Sequence, residues 1–135
     1  MHPLSLLALV ATFVSAASAQ ACLVNGVGLG WCQGILYCWV EVFGDSIDCQ
    51  FNLYDSYCNQ IASDVGPNVG DAIDSELQWT VDITELNAAS VPDYISVQFA
   101  YAGGLFGAGA SDHSTGTFNL GLTGGAWFRT GFICA

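Results

Sequence analysis

Lysine is absent from this 135-residue sequence, and arginine occurs once, as Arg129. Against that single cation stand twelve aspartates and glutamates, for a formal charge of −11. A surface this negative repels phosphate backbones and anionic lipid headgroups, so neither nucleic acid nor a membrane is expected as a partner. The carboxylates are scattered singly, which marks an acidic soluble surface and not an acidic tail. No two cysteines stand closer than Cys32 and Cys38, so the C-x-x-C spacing of a zinc site is missing. The segment "GDAIDSE" holds Asp71, Asp74 and Glu76 but departs from the alternating acidic pattern of a calcium loop. No metal and no cofactor are expected. No apolar run reaches the roughly 20 residues that a membrane-spanning helix requires.

Histidine is nearly as scarce as lysine, with only His2 and His113. His113 lies in "GASDHSTG", where Asp112, His113 and Ser114 are the residue types of a hydrolase triad. A triad needs the base to touch both nucleophile and orienting acid, and three consecutive side chains diverge. There is no G-x-S-x-G turn either. The stretch is expected to be a solvated loop, and the chain is read as having no catalytic residues.

What is present begins with a targeting segment. "MHPLSLLALVATFVSAASA" has an apolar run from Leu4 to Val14, then small residues ending in the A-x-A pattern Ala17-Ser18-Ala19. Residues 1–19 are expected to be a cleaved secretory signal. Residues 20–135 then form one secreted, extracellular domain, too short for two. Six cysteines follow the signal: Cys22, Cys32, Cys38, Cys49, Cys58 and Cys134. An even number in a short secreted chain implies three disulfides, with fifteen possible pairings. Five of them crowd toward one end, so at least one bridge must close a very long loop, unless Cys134 pairs outside the chain.

Periodicity points to a mainly β chain. Ile47, Cys49, Phe51 and Leu53 alternate with polar residues, although Ile47, Phe51, Tyr54, Cys58, Ile61 and Val65 also fit a helical stripe. A type II′ turn at Gly44-Asp45 favours the strand. It sets Val42 opposite Ile47, Val40 opposite Cys49, Cys38 opposite Phe51 and Leu36 opposite Leu53, all on one face. A short helix from Asp55 to Val65 is expected next, capped by Asp55 and stopped by Gly66-Pro67. Leu77, Trp79, Val81 and Ile83 alternate in a third strand, and Ile95, Val97, Phe99 and Tyr101 in a fourth. Two last strands turn at 123–125, with Phe118, Leu120 and Leu122 sharing a face with Ala126 and Phe128. The expected fold is mainly β (α+β): an antiparallel β-sandwich or bent sheet of about six strands, one short helix and three disulfides.

Aromatic residues supply the candidate binding surface. Tyr37, Trp39 and Phe43 share the hairpin's second face with Glu41, and Trp127 shares a face with Arg129. Exposed, these faces would be platforms for sugar rings or a protein partner; under a covering layer they would be core. Leu105 and Phe106 stand among glycines in "YAGGLFGAGASDHSTG", which suits an adaptable binding tip.

The signal, a domain of about one hundred residues, three disulfides and a cysteine just before the last residue together resemble the small cysteine-rich secreted proteins of fungi. The eight cysteines and two Cys-Cys doublets of hydrophobins are not found. The resemblance implies a monomeric, non-enzymatic, effector-like protein engaging a host protein. The rival reading is a module that binds cell-wall polysaccharide through exposed aromatic residues.

Overall fold

A computed structural model describes residues 21–23, 30–41, 46–91, 93–119 and 124–134. The expected signal segment 1–19, Val42, Phe43, the expected turn residues Gly44 and Asp45, Leu120, Leu122 and Thr123 lie outside the described residues. Among the described residues nine strands run in chain order: β1 (Trp31–Val40), β2 (Ile47–Tyr54), β3 (Gln60–Val65), β4 (Ala72–Ile73), β5 (Val81–Ser90), β6 (Tyr94–Tyr101), β7 (Gly104–Gly107), β8 (His113–Asn119) and β9 (Gly124–Ile133). They form two antiparallel sheets, β3-β2-β1-β9-β8 and β4-β5-β6-β7. The sheets pack face to face as a sandwich. Leu36, Phe51, Leu53, Phe128 and Phe132 of the first meet Val81, Ile83, Ile95, Val97, Phe99 and Tyr101 of the second. Each such side chain stabilises the fold by about 1.5–3 kcal/mol when fully removed from water. Phe99 sits centrally, its ring 5.2 Å from Phe132 and 5.5 Å from Phe51. Gly34 of β1 makes room, since a Cβ there would lie 2.9 Å from the Phe99 ring.

All six cysteines are paired: Cys22–Cys58, Cys32–Cys134 and Cys38–Cys49. Three bridges in so small a domain are the pattern of proteins from oxidising, extracellular compartments.

The β1–β2 hairpin forms, but two residues out of the expected register. Val40 faces Ile47, Cys38 faces Cys49 and Leu36 faces Phe51. The Cys38–Cys49 bridge joins directly opposed residues whose Cα atoms are 4.1 Å apart, and this pins the pairing. Because strand side chains alternate with a period of two, a shift of two leaves every inward residue inward.

The expected helix at 55–65 is instead a turn followed by β3. Asp55 does cap, but it caps the turn: its carboxylate accepts the N–H groups of Tyr57 and Asn59 and the Asn59 side-chain amide. Burial opposes ionisation of Asp55, yet these hydrogen bonds outweigh it and hold the carboxyl below its usual range. Cys58 takes a left-handed φ of 63°, which breaks any helix, and its bridge to Cys22 holds it there.

Two further strands differ. Leu77 and Trp79 precede β5 in a loop, where Ser75 Oγ accepts the Leu77 N–H and Thr80 Oγ1 donates to Asp74. In the last hairpin Phe118 faces Gly125 and Thr117 faces Ala126, so Phe118 lies on the face opposite Ala126 and Phe128. The reason is glycine: the Phe118 ring lies where a Cβ on Gly125 would be, 2.3 Å away.

Candidate functional site

The aromatic candidates on the outer face of the five-stranded sheet divide sharply. Tyr37 is fully buried and Trp39 is 7% exposed, so both are core and not platforms. They pack with Ile35, Tyr54, Ala21 and Cys22 in a second apolar layer. Three devices lay residues 21–23 over this face. The Cys22–Cys58 bridge is one. Gln33 is another: its side-chain amide accepts the Leu23 N–H at 3.0 Å and donates to the Leu23 carbonyl at 2.6 Å, replacing a neighbouring strand. The third is Arg129, whose guanidinium donates to the Ala21 carbonyl and lies 5.2 Å over the Trp127 ring. Burial draws the Arg129 pKa down, partly offset by Tyr37. The chain's one strong cation is thus engaged within the fold. Trp127, half-buried, lies flat against Gly116.

The glycine-rich stretch is loop only in part: residues 108–112 turn from β7 to β8, and Asp112, His113 and Ser114 are exposed. Leu105 and Phe106 belong to β7, with Leu105 half exposed and Phe106 turned inward beside Phe99 and Phe132. His113 begins β8, stacks 4.6 Å from the Phe128 ring and approaches the Ser111 carbonyl through Nδ1. Strand alternation sends the side chains of His113 and Ser114 to opposite faces of the sheet.

Trp79, exposed like Tyr57 and Tyr94, is the exposed tryptophan that periodicity hid. Its alternation with Leu77 and Val81 reads as a buried strand position, but the loop 74–80 turns it outward, 46% exposed. Its ring stands edge-on to Tyr101 at 6.4 Å and 81°. A depression of about 360 Å³ opens on one side, lined by Thr80, Asp82, Ala100 and Gly103. Another of about 310 Å³ lies on the other side, lined by Gln78, Gly104, Phe106 and Ile133. Ala102 borders both. With Gly103 it makes the β6–β7 turn, both residues at positive φ (51° and 82°), the conformation of a type I′ hairpin. An alanine held there costs about 1–2 kcal/mol. Replacing Ala102 by glycine is therefore expected to raise stability by about 1 kcal/mol, read as a higher melting temperature. An unchanged or lower value would show that the turn is not strained.

Sheets and bridges together define a small disulfide-stapled β-sandwich with one exposed tryptophan ridge. Comparison of the chain with protein-family models, curated proteins and solved structures found no match.

Proposed function

We propose that this chain is secreted and works outside the cell as a non-enzymatic, effector-like protein that engages a host protein through the surface around Trp79. The observation that carries the reading is the half-exposed indole standing between two depressions, on a chain that buries Tyr37, Trp39, Phe51, Phe99, Phe128 and Phe132. An exposed tryptophan is a common anchor of protein interfaces, filling a pocket on the partner while a polar rim excludes water. Asp74, Glu76 and Asp82 lie in or beside this end of the molecule and, with the charge of −11, favour a partner with a basic rim.

The test measures a host partner's affinity for the wild-type domain and for Trp79→Ala. A loss of about thirtyfold or more, corresponding to about 2 kcal/mol, is expected with an unchanged melting temperature. Equal affinities would remove Trp79 from the interface. The polysaccharide reading is favoured by one specific feature: both depressions beside the indole carry polar side chains, Thr80 and Asp82 in one and Gln78 in the other. Retention on chitin, glucan or cellulose that disappears in Trp79→Ala would replace the host protein by a sugar chain as the ligand.

A further inference from the structure

We propose that Asp64 and Asp71 form an acid-closed clasp between the two sheets, held by a shared proton whose loss toward neutral pH loosens that edge of the sandwich. Asp64 stands opposite Phe51 in the β2–β3 pairing, and Phe51 is fully buried. The Asp64 carboxyl therefore lies on the face of the five-stranded sheet that is turned toward the second sheet. Asp71 immediately precedes β4 of that second sheet, and it is fixed at two points. Its carbonyl accepts the Ile83 N–H at 3.0 Å, and its Oδ2 accepts the Asn68 N–H at 2.9 Å.

The two carboxyl groups lie within interaction range of one another. Two carboxylates offer only acceptors, so a hydrogen bond between them requires a shared proton. Asp64 Oδ2 is otherwise buried without a partner among the described residues, and a proton there resolves it. Burial is the main cause that raises the Asp64 pKa, to about 6, with the Asp71 hydrogen bond and negative charge adding to it. The same hydrogen bond and the Asn68 N–H hold Asp71 below its usual range.

Among the described residues, no other charged side chain of the neighbouring strands faces the pair. β2 presents Phe51, β4 presents Ile73, and β5 presents Val81 and Ile83, all buried. Asp48 pairs with Trp39 on the far face of the first sheet. Asp82 and Glu85 are exposed, and Asp82 borders the depression beside Trp79.

The direction of the pH effect follows. Between the unfolded value of 3.8 and about 6, the folded chain keeps a proton that the unfolded chain releases. This contribution is complete below 3.8 and is lost as the pH rises through about 6. The shift of Asp71 acts below this window, where its stabilisation disappears as pH falls.

The experiment follows the carboxyl carbons of the disulfide-bonded domain by NMR, together with melting temperature, from about pH 4 to about pH 7. Asp64 is expected to titrate near 6. Wild type is expected to lose about 5 °C across the range relative to Asp64→Asn, whose amide keeps the hydrogen bond without titrating. Asp71→Asn should lower the Asp64 midpoint only in part, since burial, the larger cause of the rise, remains. An ordinary midpoint for Asp64 in the wild type would overturn the clasp by itself, whether or not the variants fold. So would an Asp64→Asn profile parallel to the wild type.

Discussion

Replacing Cys32 and Cys134 together by alanine is expected to lower stability by about 4–5 kcal/mol, the largest loss among the three bridges. The bridge spans 102 residues and ties the start of β1 to the residue after β9. Cutting it frees the unfolded chain from a loop that encloses nearly every strand, and the entropy regained grows with the logarithm of loop length. The Cys22–Cys58 bridge spans 36 residues and Cys38–Cys49 only 11. Their paired alanine variants should lose about 4 and about 3 kcal/mol respectively. Denaturant unfolding of the three variants, beside the wild type, checks the ranking. Equal losses would show that native packing around the sulfurs, and not the tethering of the unfolded chain, sets the contribution.

Gly116→Val is expected to lose about 3 kcal/mol or more, a large effect for a single substitution on an edge strand. A Cβ on Gly116 would lie 2.3 Å from Trp127 Cζ2 and 2.4 Å from Cε2, inside the indole ring's own space. The ring cannot simply lift, because the Arg129 guanidinium lies over it and is engaged with the Ala21 carbonyl. Displacing Trp127 would therefore also disturb the segment laid over Tyr37 and Trp39. In a double-mutant cycle, Gly116→Val made on a Trp127→Ala background should lose far less than on the wild type. Urea unfolding midpoints measure both. Additive losses would mean that the strain comes from the β8 backbone and not from the indole.

These effects involve pairings that the residue pattern leaves open. Glycine opposite an aromatic residue is invisible to hydrophobic alternation, which is why Phe118 was expected beside Ala126 and Phe128 and instead lies across Gly125. The β1–β2 hairpin illustrates the reverse. Its alternating residues were legible and its faces are as expected, while the register is set by the bond between Cys38 and Cys49. The Asp55–Val65 segment failed for a third reason. Asp55 is a good cap for a helix and for a turn alike, and Cys58 decides between them through its bridge to a residue 36 positions away.

The candidate site was less legible than the fold. Tyr37, Trp39, Trp127 and Arg129 share a face as the alternation requires, but whether anything lies over that face depends on residues 21–23, which the strand pattern does not include. Trp79 carries the opposite signal, since its strand-like spacing conceals a loop position.

Composition and spacing alone determined the acidic surface, the six half-cystines, the mainly antiparallel β character and most inward-facing positions. These follow from local chemistry: charge, oxidisable thiols and a two-residue period. Only the tertiary structure decided the disulfide pairing, the strand registers, the burial of Tyr37 and Trp39, the exposure of Trp79 and the meeting of Asp64 with Asp71. Each depends on which segments are brought together, and no local pattern encodes the covering of one face by residues 21–23, held there by Cys58 and Arg129.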